Sequence, residues 1–195
     1  MREIQTPLDE TTVRSLRVGD EVFLSGVLVT ARDVAHKFMV EKKPTFLRPL
    51  LRGSAIYHCG PVMKKERSTW KALSAGPTTS AREEPYTADV IQSYRVRAIV
   101  GKGGMGPRTL EACRRFGAVY LHAVGGAAVS LAQRVVHVRD VLKLDEFGMP
   151  EAFWVFEVEG FPTVVTMDAS GASLHAEIAA RSHMALERFL GRAIR

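Results

Sequence analysis

Apolar and polar residues follow one another along this chain in two different ways, and the difference predicts its secondary structure. Short runs rich in β-branched and apolar residues are typical of strands, whereas apolar residues spaced three and four apart are typical of helices. In the first two thirds of the chain the two kinds of segment alternate. The predicted strands are residues 20–30, 55–58, 70–74, 96–100 and 118–124, and the predicted helices are residues 32–41, 80–94, 107–116 and 127–135.

The last third of the chain carries two more strand-like runs. Residues 153–158 and 163–167 flank Gly160-Phe161-Pro162, a sequence typical of a turn between strands. The other predicted segments are a proline-flanked loop over residues 46–52, a turn over residues 168–171 and an amphipathic helix over residues 178–194.

Local signals mark the ends of two helices. Pro107 suits the first position of a helix, and Gly117 suits its C-terminal cap. Ser80 is a candidate N-cap for residues 80–94, and Pro85 is expected to delay the true start of that helix.

The alternation of strands and helices predicts an α/β fold with parallel pairing in the middle of the chain. The N-terminal and late strands lack intervening helices, so we expect them to form a second sheet or an antiparallel flank. Since no internal repeat or linker divides the 195 residues, we expect a single domain over residues 1–195.

Composition narrows the class of protein. Hydrophobic residues make up 46% and charged residues 25% of the chain, which is ordinary for a globular protein. No apolar run approaches the roughly 18–20 residues that span a bilayer, and the N-terminal residues are polar. We therefore expect a cytoplasmic protein without a membrane partner.

The formal net charge of +6 favours an acidic partner, and nucleic acid is one alternative. The basic residues are dispersed, however, and aromatic residues make up only 8% of the chain, so a nucleic-acid surface is not expected. Cys59 and Cys113 stand far apart without a metal-ligand spacing. Two thiols are too few for an iron–sulfur cluster, so no metal site is expected in this chain.

Two polar loops carry the candidate chemistry. Residues 75–82 contain the hydroxyls of Thr78 and Thr79 and the guanidinium of Arg82, immediately before a predicted helix. If Ser80 opens that helix, the hydroxyls and first amides point at one place, where a carboxylate gains charge-assisted hydrogen bonds. The alternative is a purely local capping cluster.

The second loop, residues 101–106, is dense in glycine and holds Lys102. It lacks the spacing of nucleotide-binding loops, and taken alone it is equally well explained as an exposed turn. Arg32 and His36 are four residues apart, which predicts one shared helix face that binds an anion and exchanges a proton. The alternative is an Asp33–Lys37 surface pair beside a solvated His36.

Taken together, these segments resemble one enzyme family. The chain is similar to the β subunit, or C-terminal domain, of class I iron–sulfur hydro-lyases, which comprise fumarate hydratase and L(+)-tartrate dehydratase. The resemblance runs in order over nearly the whole chain. It is carried by residues 17–20, 30–36, 58–61, 76–82, 99–106 and 148–152.

The resemblance implies a swivelling-type three-layer β/β/α domain that supplies half of an active site. A partner α subunit would hold a 4Fe–4S cluster through three cysteines, and the open iron would act as a Lewis acid on the dicarboxylate substrate. The expected assembly is α2β2, with a possible homodimer of the isolated chain.

The resemblance also implies roles for single residues. Arg32, Thr79, Arg82 and Lys102 match substrate-contacting positions. Thr78 matches the proposed base for the carbon-bound proton, and His36 matches a proton donor of some members, so the two compete for the catalytic proton.

The expected reaction is the reversible hydration of fumarate to malate. One alternative is the dehydration of tartrate to oxaloacetate, and another, from a different class, is a stand-alone module that binds small anions.

Overall fold

The computed structural model describes residues 2–193, with the side chains of residues 2–191, and it is a mixed α/β structure. The strands are β1 (Arg2–Gln5), β2 (Glu21–Thr30), β3 (Ala55–Tyr57), β4 (Val62–Glu66), β5 (Thr69–Ser74), β6 (Ala98–Gly101), β7 (Val119–His122), β8 (Val135–Leu142) and β9 (Phe153–Met167). The helices are α1 (Glu10–Ser15), α2 (Asp33–Lys42), α3 (Leu47–Leu51), a 3₁₀ helix (Ser80–Glu83), α4 (Glu84–Tyr94), α5 (Pro107–Phe116), α6 (Ala128–Ala132), α7 (Leu144–Phe147) and α8 (Leu174–Ala193).

The main sheet has the strand order β1-β2-β3-β6-β7-β9-β8. Strands β2, β3, β6 and β7 are parallel, as the alternating sequence predicted. Strand β9 pairs antiparallel with β7, β8 and also β2, so the sheet curls back on itself. β4 and β5 form a separate antiparallel hairpin.

Each face of the sheet is covered by its own apolar cluster, because neighbouring strand residues point to opposite faces. Ile56 and Ile99 pack in the cluster beneath helices α2 to α5, whereas Tyr57 and Val100 pack in the other. The second cluster contains Trp154 and Phe156 from β9 and is also covered by the β4–β5 hairpin. Trp70, from that hairpin, packs against Trp154 with ring centroids 5.0 Å apart.

Two segment predictions are wrong. Residues 46–52 were expected to be a loop, but Leu47–Leu51 form α3 because Leu47 and Leu51 are fully buried. Residues 153–158 and 163–167 were expected to be separate strands, but they form one continuous strand, β9. It bends at Gly160, at φ +55, and its pairing with β2 continues through Pro162 opposite Phe23.

The ends of three other helices can be compared with their predicted positions. The helix predicted over residues 127–135 ends at Ala132, because Val135 already pairs with β9. Pro85 lies in the first turn of α4, so the predicted delay of that helix is confirmed. The last helix begins at Leu174, four residues earlier than predicted, and Ile194 at its predicted end lies outside the described residues.

Candidate functional site

The candidate residues gather at the carboxyl edge of the parallel strands. Arg32 follows β2, His58 follows β3, Lys102 follows β6 and His122 ends β7. Parallel strands end at the same edge of a sheet, which is where open α/β sheets commonly bind their ligands. The parallel pairing therefore brings together residues that lie up to 90 positions apart in the chain.

The loop of residues 75–82 is attached to this edge by backbone hydrogen bonds. The Thr78 amide donates to the His58 carbonyl at 2.7 Å, and the Ser80 amide donates to the Lys102 carbonyl at 3.0 Å. A β-bridge also joins Thr79 to Lys102. The two loops singled out in the sequence are thus neighbours, with Thr78 and Lys102 partly buried and Thr79 exposed.

Two guanidinium groups reach the same region from the start of α2 and from the 3₁₀ helix. Arg82 is 58% exposed and pairs with Asp33, the first residue of α2. Arg32 is 21% exposed, and its Nε lies 3.5 Å from Glu151 Oε1. Because an exposed ion pair contributes little, the Arg82 guanidinium can exchange Asp33 for a ligand carboxylate at small cost.

The segment of residues 148–152 supports the start of α2. Glu151 Oε2 accepts a hydrogen bond from the Val34 amide at 3.0 Å and so caps the helix, while its other oxygen faces Arg32. Gly60 lies against the Arg32 side chain, where an added Cβ would approach Nη1 to 2.7 Å. Glycine at position 60 therefore makes room for Arg32.

The backbone amides predicted to be free are already bound at Thr78, at Ser80 and at the start of α5. The Thr78 and Ser80 amides are bound to carbonyls, and Ser80 caps no helix because its side chain points into the protein. The amides at the start of α5 are occupied by the Glu84 carboxylate. An anion at this edge is therefore not bound by these amides, and side chains are the main candidates to hold it.

Glu84 holds the glycine-rich loop in place. Its carboxylate accepts from the amides of Gly106, Arg108 and Thr109 at 2.8–3.2 Å and from the Thr109 hydroxyl at 2.6 Å. We expect Glu84→Ala to lower the free energy of unfolding by about 2–3 kcal/mol, as several orphaned donors lose their acceptor. Thermal denaturation measures this loss. Glu111→Ala, an exposed substitution on α5, the helix that Glu84 caps, is the control, and equal losses in both variants would contradict the capping role.

The four-residue spacing predicted that His36 and Arg32 share an accessible helix face. This prediction is wrong for His36. Its side chain is fully buried, and Nδ1 lies 3.0 Å from the Arg32 carbonyl. Burial lowers the pKa of His36 to about 4. The alternative Asp33–Lys37 pair is also wrong, since Asp33 pairs with Arg82 and Lys37 with Glu41.

Sequence reasoning missed a buried polar network behind the two loops. Tyr120 donates a hydrogen bond to Ser80 Oγ at 2.9 Å, and Ser80 Oγ lies 2.8 Å from His58 Nδ1. Glu83 is also fully buried, with Oε2 4.0 Å from His58 Nδ1. Nothing local to the sequence pairs Tyr120 with Ser80, which lie 40 residues apart in the chain.

The described side chains do not suit an iron–sulfur cluster. Cys59 and Cys113 are both buried, and burial raises the pKa of both thiols, that of Cys113 to about 12. Within residues 2–191, no three His, Cys, Asp or Glu side chains are arranged to hold a metal ion. None of the described helices combines the length and apolar character required to cross a membrane.

Fold and site together define a class: an α/β domain that presents cationic and hydroxyl side chains at the carboxyl edge of a parallel sheet, without a metal site among its described residues. Similarity to known proteins makes the class specific. The Fumarase C-terminus family matches the chain over residues 2–178, and the chain belongs to that family.

Three relatives show how this family is distributed among longer and shorter chains. A Geobacillus stearothermophilus protein provisionally named fumarate hydratase class I is 46% identical over 95% of this chain, which spans only 36% of it. A Methanocaldococcus jannaschii protein provisionally named L(+)-tartrate dehydratase subunit beta is 43% identical over 94% of this chain and 96% of its own length. The L(+)-tartrate dehydratase subunit beta of Escherichia coli K12 is 41% identical over 89% of this chain and 86% of its own length.

Proposed function

We propose that this chain is the β subunit of a two-subunit iron–sulfur hydro-lyase that interconverts fumarate and malate. The observation that carries the proposal is the attachment of the Thr78–Thr79 loop to Lys102, with Arg82 and Arg32 reaching the same edge. This arrangement suits a ligand with a carboxylate at each end. The relative named fumarate hydratase supports the choice of substrate.

Tartrate is the second candidate substrate, and two relatives support it. The two relatives named L(+)-tartrate dehydratase subunit beta are 43% and 41% identical to this chain, against 46% for the relative named fumarate hydratase. The residues of the site suit both substrates, since malate and tartrate differ by one hydroxyl group.

In the proposed site, charged groups bind the substrate and stabilise its negative charge, while the threonine hydroxyls orient it and accept its proton. Arg32 and Arg82 bind substrate carboxylates through their planar guanidinium groups. Thr78 takes the proton from the carbon beside a carboxylate, and Thr79 donates a hydrogen bond that helps to orient the substrate. Lys102 lies next to the threonine loop, where its ammonium group stabilises both the Thr78 oxyanion and the negative charge that develops on the substrate.

The 4Fe–4S cluster is assigned to the partner α subunit, because the two buried thiols of this chain do not suit it. The proposed assembly is a higher oligomer such as α2β2, and a homodimer is proposed for the isolated chain. We further propose that the chain is a single swivelling-type β/β/α domain. The two apolar clusters on opposite faces of the sheet support that three-layer arrangement.

Variants of Thr78 and His36 test which residue handles the proton. We expect Thr78→Val to lower turnover about 10²–10⁴-fold, because general-base catalysis contributes that much, and Thr78→Ser to retain most of it. His36→Gln is expected to lower thermal stability more than turnover, since His36 is buried away from the surface. The measurement is the steady-state rate of the assembled enzyme. A larger loss of turnover in His36→Gln than in Thr78→Val would assign the proton transfer to His36 instead of Thr78.

The function itself is tested by co-expression with the cysteine-bearing partner, anaerobic reconstitution and assay with malate, fumarate and both tartrates. Hydration or dehydration by the pair, and none by this chain alone, is the expected result. Turnover by the isolated chain would contradict the two-subunit proposal. Ligand binding by the isolated chain, with no activity of the reconstituted pair, would support the anion-binding module instead.

A further inference from the structure

A group of buried polar atoms without partners lies directly behind the proposed site. Within residues 2–191, seven buried side-chain nitrogen and oxygen atoms have no hydrogen-bond partner, and five of them belong to four residues of this region. They are Arg32 Nε, His36 Nε2, His58 Nε2 and both carboxyl oxygens of Glu83. Folded proteins rarely leave such atoms without a protein or water partner, and five of the seven lie together here.

Neither histidine compensates the charge of Glu83. Ser80 Oγ accepts from Tyr120 and lies 2.8 Å from His58 Nδ1, whereas Glu83 Oε2 is 4.0 Å from that nitrogen, beyond hydrogen-bond distance. His36 Nδ1 donates to the Arg32 carbonyl, and His36 Nε2 has no hydrogen-bond partner in the described part of the chain. Burial lowers the pKa of both histidines, that of His36 to about 4.

The cations whose charge acts on Glu83 are Arg82, its neighbour in the chain, and Arg32, the two guanidinium groups of the proposed site. The pKa of Glu83 is raised to about 7, because burial and the Asp33 charge raise it by more than a backbone hydrogen bond, Arg82 and Arg32 lower it. His58 and Tyr120, the other titratable groups packed on this side, stay neutral because burial lowers the pKa of His58 and raises that of Tyr120. The ionised form of Glu83 therefore depends on Arg32 and Arg82.

We propose that Glu83 takes up a proton when a dicarboxylate binds at Arg32 and Arg82, so that the site binds its ligand together with a proton. A carboxylate that neutralises the two guanidinium groups removes the positive charge that favours ionised Glu83. The proton comes from solvent, and no covalent bond of the ligand changes. Glu83 is then a positioning residue, which stays neutral beneath the bound anion. This inference rests on the proposed dicarboxylate function.

The sign of the pH dependence follows from linkage. The pKa of Glu83 is proposed to be higher in the ligand-bound protein than in the free protein. Ligand binding is therefore strongest at a pH below the pKa of the free protein, and it weakens as the pH rises from that pKa to the pKa of the bound protein. The affinity for L-malate is expected to fall several-fold between about pH 6.5 and 8.5, a range in which the malate carboxylates stay ionised.

The test begins with the full chain alone, labelled with ¹³C at the glutamate side-chain carboxyl, in an NMR pH titration. Glu83→Gln identifies the resonance, since an amide does not titrate. A midpoint near neutrality is expected in the free chain. A midpoint below about 5.5, close to that of an ordinary carboxyl, would overturn the inference and leave the proposed function untouched.

L-malate is then added to the labelled chain, alone and reconstituted with its partner. We expect the Glu83 midpoint to rise by at least half a pH unit and the pH dependence of malate affinity to flatten in Glu83→Gln. Glu111→Gln, an exposed substitution on α5, should keep the wild-type dependence. If malate binds and the Glu83 titration midpoint does not move, only the proposed coupling is overturned. If neither malate nor tartrate binds to the chain alone or to the reconstituted pair, the proposed function is overturned as well.

Discussion

Replacing Lys102 with alanine is expected to lower the turnover of the reconstituted two-subunit enzyme by about 10²–10³-fold, the usual cost of losing a preorganised charge partner. Lys102 is held next to the Thr78–Thr79 loop by the bridge to Thr79 and by the hydrogen bond from the Ser80 amide to its carbonyl. Both are backbone contacts, so the truncation removes the ammonium group and leaves the loops in place.

Arg82→Ala is expected to act differently, with a clear rise in KM as well as a fall in kcat. Its guanidinium is proposed to bind a carboxylate that is present in both substrate and transition state. Its structural cost should be small, because the pair with Asp33 is exposed and such pairs contribute at most about 1 kcal/mol. The fold of both variants is checked by thermal denaturation.

The matched control is Lys42→Ala, a cation removed from the far end of α2. It should leave kcat and KM within about twofold of wild type. Wild-type rates in Lys102→Ala or Arg82→Ala would show that the two loops do not form the substrate site. A similar loss in all three variants would point to the overall charge of the protein instead.

Replacing Gly101 with alanine is expected to lower the free energy of unfolding by about 3–5 kcal/mol, a drop in melting temperature of about 10 °C or more. A Cβ at this position would overlap the Ser80 hydroxyl oxygen and would lie 3.1 Å from Tyr120 Oη and 3.3 Å from His58 Nδ1. The buried hydroxyls and imidazole then separate, and each unpaired group adds its own cost.

Gly125→Ala provides the comparison, because its added Cβ would meet only the flexible Lys102 side chain, at 3.5 Å. Its effect on stability should stay within about 0.5 kcal/mol. Chemical denaturation of the three proteins measures the differences. Equal stability of Gly101→Ala and wild type would mean that the Tyr120–Ser80–His58 network does not pack against Gly101.

Much of the secondary structure could be predicted because its causes are local. Pro107 and Gly117 mark the first residue and the C-cap of α5 where the structure has them, since one lacks an amide hydrogen and the other adopts φ +67. The central strands followed from their β-branched residues. Substrate-contacting roles for Arg32, Thr79, Arg82 and Lys102 came from the family resemblance, and they stay predictions.

The errors arose where contacts between distant residues overrule local signals. Gly160 and Pro162 are typical of a turn, yet β9 continues through both because β2 offers pairing partners as far as Val164. Ser80 has the local character of a helix cap, but its hydroxyl bonds to Tyr120 and His58 instead. The four-residue spacing predicted one accessible helix face for Arg32 and His36, but packing buries His36.

The sequence alone therefore determined the alternating strands and helices in the middle of the chain, the family and the two loops that carry hydroxyls and cations, because periodicity and motifs are properties of neighbouring residues. Only the tertiary structure decided that the amides of Thr78, Ser80 and Gly106 are already bound, that Ser80 points inward and that Glu83 lies buried without a hydrogen-bond partner among the described residues. These facts depend on which strand ends meet at the sheet edge. Pairing between residues far apart in the chain decides which strand ends lie next to one another, and no local sequence pattern contains that information.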